Sequence, residues 1–161
     1  GVVEHAGVED AVDIHVGTLS KAIGAVGGFI ATSSRWRAWF LNRGRAFIYS
    51  TALPIPVVEA ARAAIRVSRE QPGIRHRLWH RVEQLGESLD RKLSSPIVPL
   101  ILGAEDDALA ASQTLLDEGF HVTAIRPPTV PPGTSRLRIA LSSAHSEDDV
   151  DALCAVLRRF A

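Results

Sequence analysis

The chain has 161 residues, of which 46% are hydrophobic and 22% charged, a composition that predicts a soluble globular protein. Eighteen basic residues balance eighteen acidic ones, so neither a nucleic acid nor an anionic membrane surface is expected as a partner. The single Cys154 excludes an internal disulfide, and the lack of a signal peptide or long apolar run predicts a cytoplasmic protein.

A lysine follows an apolar stretch near the start of the chain. Residues Asp13 to Val16 are predicted as a buried strand, Gly17-Thr18 as the break after it, and Lys21 lies in the glycine-rich segment that follows. A desolvated lysine amine is a nucleophile that can form a Schiff base with a carbonyl cofactor. By spacing alone, a surface lysine in a turn is the favoured interpretation.

The rest of the first half alternates predicted helices and strands. They are a short helix or loop at 1–12, a strand at 28–32, a helix at 33–44, a strand at 45–51 and a helix at 56–70. The aromatic residues Trp36, Trp39 and Phe40 share one face of the helix at 33–44, which indicates core or subunit interface. Gln71-Pro72-Gly73 breaks the last helix, so we predict domains at 1–71 and 72–161.

Two hydroxyl residues, Ser50 and Thr51, close the predicted strand at 45–51. Hydroxyls and free backbone amides at such a turn suit an anion, which makes both residues candidates for binding a phosphate. A simple cap for the helix that starts near Val57 is the alternative interpretation.

The second half predicts a small domain of mixed helices and strands. Its elements are a helix at 74–92, a strand at 96–102, a helix at 105–118, strands at 121–126 and 136–141, and a helix from 147. Ser146 and Asp149 form a capping-box-like start for the last helix, and Cys154 is expected in the core. His76 and His80 have metal-ligand spacing but no third ligand, so no metal site is predicted.

A proline-rich loop joins the last two predicted strands. Its four prolines fix the backbone repeatedly, which stiffens the loop as a binding loop requires. Arg136 and Arg138 then lie on one face of the following strand, opposite Leu137 and Ile139. An arginine fork grips a carboxylate with two hydrogen bonds, although one of the two arginines could be a solvated charge.

Four stretches in order carry a family resemblance: GTLSKAIGAVGG, RAFIYSTALP, SPIVPLILG and AIRPPTVPPGTSRLRIALSSAH. They resemble the α-oxoamine synthases, which are pyridoxal-phosphate enzymes with the fold type I aminotransferase-like architecture. The last stretch is similar to the 8-amino-7-oxononanoate synthase branch in particular. The resemblance implies an α/β fold in which 1–71 ends the large cofactor-binding domain. Residues 72–161 would then form a small α+β C-terminal domain with an antiparallel sheet.

The same resemblance implies roles for individual residues. Lys21 would hold pyridoxal 5'-phosphate and act as acid or base at the substrate Cα, and Thr18 would contact the cofactor near it. Ser50 and Thr51 would reach a cofactor phosphate across a homodimer interface. Thr129 would contact substrate, and Arg138 would bind its carboxylate.

The implied reaction condenses L-alanine with a pimeloyl thioester, carried by coenzyme A or by a carrier protein. Carbon dioxide is lost and 8-amino-7-oxononanoate is formed for biotin synthesis. Two alternatives stay open: another α-oxoamine synthase (glycine C-acetyltransferase, 5-aminolevulinate synthase or serine palmitoyltransferase-like), or a non-catalytic fragment or partner subunit. The family's chains are longer, and its ring-stacking histidine and its acidic partner for the pyridine nitrogen would lie before Gly1. The 161 residues alone are therefore expected to be inactive.

Overall fold

Residues 1–160 are described by a computed structural model, in which the chain divides into two units. We call Gly1–Gln71 the amino-terminal unit and Pro72–Ala161 the carboxy-terminal unit. The helix before the division ends where the amide of Gln71 donates to the carbonyl of Val67 at 2.9 Å. Pro72 caps the helix that follows, because its fixed φ suits a helix start and its missing N–H costs nothing there.

The amino-terminal unit consists of a two-stranded antiparallel hairpin and short helices. Its elements are α1 Val2–Ala6, β1 Ile14–Thr18, β2 Gly28–Thr32, α2 Ser34–Arg43, α3 Arg45–Ile48 and α4 Ile55–Glu70, with a 3-10 turn at Glu9–Ala11. The strands pair from Ile14 with Thr32 to Thr18 with Gly28, so residues 19–27 form the hairpin loop.

The predicted strand at 28–32 and the helices at 33–44 and 56–70 are confirmed. The Ser33 side chain accepts a hydrogen bond from the amide of Trp36, as a helix N-cap does. At the other end of α2, the amide of Gly44 donates to the carbonyl of Phe40 at 2.9 Å.

The predicted strand at 45–51 is wrong, because residues Arg45–Ile48 form the short helix α3. The segment follows α2 directly, and no strand among residues 1–160 pairs with it, so local bonds satisfy its backbone. The amide of Ile48 donates to Gly44 and the amide of Tyr49 to Arg45. At helical i,i+4 spacing, the Arg45 guanidinium lies 5.7 Å from the centre of the Tyr49 ring.

The predicted buried strand before Lys21 is only partly right. Strand β1 begins at Ile14 and continues through Gly17 and Thr18, which were predicted as a break. Its Val16 side chain is 78% exposed. A hairpin of two strands leaves sheet faces uncovered unless other elements pack on them, and that explains the exposure.

The carboxy-terminal unit packs three helices against one face of an antiparallel sheet. Its elements are α5 Gly73–Ser88, β3 Ile97–Gly103, α6 Glu105–Asp117, β4 Thr123–Ile125, β5 Ser135–Ala140 and α7 Glu147–Leu157. The strand order is β3-β5-β4, with β5 in the centre. Every element predicted here is present, with ends that differ by a few residues.

The core of this unit lies between the sheet and the helices. Thirteen buried residues form one cluster, which includes Leu137 and Ile139 of β5, Leu115 of α6 and Cys154 of α7. The expectation that Cys154 lies in the core is confirmed. The opposite sheet face is open, since Ile97 and Ile101 of β3 are more than half exposed.

The start of α7 is a capping box, as predicted. The amide of Ser146 donates to Asp149 Oδ2 at 2.8 Å, and the amide of Asp149 donates to Ser146 Oγ at 3.0 Å. The backbone bond from Ser146, followed by the bond to its hydroxyl, lowers the pKa of Asp149 below its ordinary value.

We expect Leu115→Ala to lower the free energy of unfolding by about 2–5 kcal/mol, because it removes buried methyl groups and leaves a cavity. Leu116→Ala in the same helix is the matched control, since Leu116 is 51% exposed and its loss should cost less than about 0.5 kcal/mol. Urea unfolding followed by circular dichroism measures both. Equal losses would contradict the assignment of Leu115 to the core.

The capping box predicts a pH dependence. The folded pKa of Asp149 is lowered, so the stability that its charge contributes is present above the unfolded pKa of about 3.9 and is lost as pH falls through the folded pKa. Asp149→Asn should therefore destabilise the chain at pH 7 and much less at low pH. Asp148→Asn in the same helical turn is the control, and should have a smaller effect at pH 7. An NMR titration that finds the pKa of Asp149 at its ordinary value would refute this account.

Candidate active site

Lys21 lies in the hairpin loop between β1 and β2, whose backbone is fixed by its own hydrogen bonds. The amide of Leu19 donates to the carbonyl of Gly27 at 2.9 Å, and the amide of Ala25 donates to Leu19 at 2.8 Å. The carbonyl of Lys21 accepts from the amide of Gly24 at 3.0 Å. The Lys21 amine is exposed and makes no hydrogen bond or ion pair within residues 1–160. The loop therefore holds the lysine backbone and leaves the amine available.

A pair of hydroxyls precedes the lysine. The Oγ1 of Thr18 lies 2.8 Å from the Oγ of Ser20 and accepts from the Ser20 amide at 3.2 Å. The sequence argument did not single out Ser20, for which the only available signal was its position next to Lys21. Because one hydroxyl donates to the other, the pair has one O–H left to donate to a ligand bound at the lysine.

Gly27 brings a second segment to the lysine loop. Its φ is +105°, and a Cβ built on it would lie 2.6 Å from Cδ1 of Leu53. The positive φ favours glycine at this position, and a Cβ there would also displace the Leu53 side chain. Since Leu53 comes shortly after Ser50 and Thr51, the structure places this hydroxyl segment next to the lysine loop.

The two hydroxyl candidates in that segment differ in their surroundings. The Ser50 hydroxyl donates to the carbonyl of Ala46, which ties it to the end of α3. The Thr51 hydroxyl is exposed and has no hydrogen-bond partner within the described part of the chain. Both follow a helix rather than the predicted strand.

In the carboxy-terminal unit, Arg138 lies at the middle of the central strand β5. Its backbone faces Pro99 of β3 on one side and Thr123 of β4 on the other. Its side chain is on the open sheet face, exposed, and without an ion pair or hydrogen bond among the residues that the structure describes. The guanidinium is available to a carboxylate ligand.

Thr129 lies in the loop 126–134 between β4 and β5. The amide of Thr129 donates to the carbonyl of Arg126 at 3.0 Å, and its side chain is exposed. Arg126 itself pairs with Glu105 at the start of α6. Thr129 and Arg138 thus belong to one strand-loop-strand segment, whereas Lys21, Thr18, Ser50 and Thr51 belong to the other unit.

The described residues contain neither a metal-binding cluster nor a membrane-spanning helix. No three or more His, Cys, Asp or Glu side chains are placed to hold a metal ion, and His80 lies 3.9 Å from Glu147 as a surface contact. No helix within 1–160 has the length and hydropathy needed to span a membrane.

The sequence from residue 1 to residue 157 matches the family described as aminotransferase class I and II. The chain belongs to this family. An 8-amino-7-oxononanoate synthase from Arabidopsis thaliana is 50% identical over 157 residues, which are 98% of this chain and 33% of that protein. The enzyme of the same name from Anaeromyxobacter dehalogenans strain 2CP-C is 47% identical over 163 residues, or 98% of this chain and 41% of that protein.

Solved members of the aminotransferase class I and II family have the same fold. A serine palmitoyltransferase solved with its pyridoxal-phosphate internal aldimine superposes with a TM-score of 0.93 at 30% identity, over 99% of this chain and 42% of that chain. The expected fold is confirmed. The chain spans about a third to two fifths of the length of the curated relatives it matches.

The family match and the neighbours solved with pyridoxal phosphate support this cofactor for the chain. The residues present fit it. The Lys21 amine, which has no partner among the described residues, provides a nucleophile, and the hydroxyl pair beside it provides a hydrogen-bond donor.

Proposed function

We propose that this chain is the C-terminal part of a pyridoxal-phosphate-dependent acyltransferase. It would condense L-alanine with a pimeloyl thioester, with release of carbon dioxide and of the free thiol, to give 8-amino-7-oxononanoate for biotin synthesis in the cytoplasm. The observation that supports this most is the set of curated relatives at 40–50% identity over at least 94% of the chain, all named as this synthase or putatively so.

The amino-terminal unit would be the end of a large cofactor-binding domain. Its only buried residues among those described are Leu19 and Ala61, and large apolar side chains such as Val16, Phe47 and Ile55 are exposed by 64–78%. A unit with so small a core does not bury enough apolar surface to be stable alone. The carboxy-terminal unit, with its thirteen-residue core cluster, would be the small domain.

In the proposed mechanism, the Lys21 amine would hold the cofactor and would move a proton at the alanine Cα. When bound, pyridoxal phosphate supplies an electron sink for the negative charge at that carbon. The backbone hydrogen bonds of the hairpin loop hold the Lys21 backbone. Only its side chain would therefore have to move between holding the cofactor and moving the proton. The hydroxyl pair of Thr18 and Ser20 would hydrogen-bond the cofactor.

Ser50 and Thr51 would bind the cofactor phosphate, in a homodimer where each subunit serves its partner's site. The exposed Thr51 hydroxyl, which has no hydrogen-bond partner within the described part of the chain, supports this role. A phosphate accepts several hydrogen bonds, so two adjacent hydroxyls suit it.

Arg138 would bind the alanine carboxylate, and Thr129 would contact the substrate from the loop. The exposed guanidinium on the open sheet face offers two parallel donors, which match the two oxygens of a carboxylate. The thioester would be carried by coenzyme A or by a carrier protein.

A serine palmitoyltransferase-like activity is the second candidate. The observation in its favour is the TM-score of 0.93 with such an enzyme, against 0.75 with an 8-amino-7-oxononanoate synthase from Francisella tularensis. Sequence identity favours the synthase, at 50% against 30%. A non-catalytic partner subunit is disfavoured, because Lys21 is present.

The proposal can be tested in a completed enzyme, which we define as this chain joined at Gly1 to the preceding part of the Anaeromyxobacter dehalogenans relative. Borohydride reduction with pyridoxal phosphate, followed by peptide mapping, should place the adduct on Lys21. Lys21→Ala should abolish the adduct, whereas Lys92→Ala, at the chain's only other lysine, should keep it. An adduct on any other lysine would refute the assignment.

Arg138→Ala in the completed enzyme should weaken L-alanine binding by about 2–5 kcal/mol, since the carboxylate loses a bidentate charged partner inside the site. The KM for the pimeloyl thioester should change little. Arg138→Lys should recover little, because a point charge does not reproduce the fork. The control Arg158→Ala, at the exposed end of α7, should leave both KM values unchanged. An unaltered KM for alanine in Arg138→Ala would remove Arg138 from the site.

A further inference from the structure

Arg136 is a half-buried arginine to which the proposed function gives no role. It precedes Arg138 by two residues on β5, so both side chains leave the same face of the sheet, about 7 Å apart along the strand. Its backbone is paired with Ile101 of β3 and Ile125 of β4. Arg138 is free, whereas Arg136 Nε donates to the carbonyl of Thr134 at 2.9 Å.

That carbonyl belongs to the end of loop 126–134, which also carries Thr129. Within the loop, Thr134 Oγ1 donates to the carbonyl of Pro131 at 2.7 Å. The ion pair of Arg126 with Glu105 holds the start of the loop to α6. The bond from Arg136 therefore fixes the Thr134 carbonyl at the point where the loop joins the strand that presents Arg138.

The bond uses the one guanidinium nitrogen that lies closest to the backbone. A side chain without a donor at Nε, such as leucine, could pack between Ile101 and Ile125 but could not hold the Thr134 carbonyl. Residues 135 and 136 separate Thr134 from Leu137, which is fully buried and fixes the strand in the core. The hydrogen bond thus holds the end of the loop against β5, whose position is fixed by the buried Leu137.

We propose that Arg136 is a positioning residue for amino-acid binding. By fastening Thr134 to β5, it sets the place of Thr129 relative to the Arg138 guanidinium, and so shapes the subsite for the amino-acid carboxylate. This inference rests on the proposed function for its substrate, and on the hydrogen bonds of the loop for its mechanism.

The first test uses the 161-residue chain and needs no activity. Arg136→Leu should raise the amide exchange rates of Thr129 and Thr134, measured by NMR, by about three- to tenfold, the effect of losing one hydrogen bond. The amides of Leu137 and Ile139 should stay protected, which shows an intact core. Arg138→Leu, on the same strand face, is the matched control and should leave loop exchange unchanged. Unchanged loop exchange in Arg136→Leu would overturn the proposal.

The second test uses the completed enzyme. Arg136→Leu should raise the KM for L-alanine by about three- to tenfold, with kcat and the thioester KM within about twofold of the parent. Equal losses in all three constants would show a general structural role and overturn the proposal. If the parent itself does not turn over alanine and pimeloyl thioester, the proposed function is wrong, and the exchange test alone then decides the role of Arg136 in the loop.

Discussion

The arrangement of the carboxy-terminal unit depends on the burial of one face of β5. Leu137 and Ile139 are 0% and 1% exposed in the core cluster, and successive strand residues point to opposite faces. Arg136 and Arg138 must therefore lie on the open face, whatever their own preference. A slip of one residue would exchange the two sets and bury both guanidinium groups, which is strongly unfavourable without partners. Hydrophobic burial thus determines that the side chain of Arg138, the proposed carboxylate-binding residue, lies on the open face of the sheet.

The lysine loop is built on a different principle. The amino-terminal unit buries almost no side chains, so backbone hydrogen bonds across residues 19–27 and the contact of Leu53 with Gly27 define the loop. Such local bonds hold a turn but contribute little net stability. This agrees with the proposal that the unit is completed by further parts of a large domain, which would cover its apolar surface and desolvate the Lys21 amine.

The proposed chemistry is divided between the two units. The lysine, the hydroxyl pair and the phosphate candidates lie in one, and the carboxylate-binding arginine and its loop lie in the other. Each set would bind a different chemical group, a carbonyl cofactor with its phosphate or an amino-acid carboxylate. In both sets backbone hydrogen bonds hold the segment, and its cationic side chain, Lys21 or Arg138, has no partner among the described residues. The aminotransferase class I and II match covers both sets.

The sequence by itself determined the elements that depend on strong local signals. The capping box at Ser146, the break at Pro72 and the alternation around Leu137 all have the predicted structure. Motif resemblance supplied the family and the candidates Lys21 and Arg138.

Only the tertiary structure decided features that depend on neighbours distant in sequence. Residues 45–51 alternate like a strand, yet no strand is placed to pair with them, so they bond locally as α3 and a turn. Val16 has strand propensity but no covering layer, and is exposed. The contact of Leu53 with Gly27 joins residues far apart in the sequence. Composition and residue spacing do not predict such contacts, because the contacts form only when elements distant in the sequence pack together.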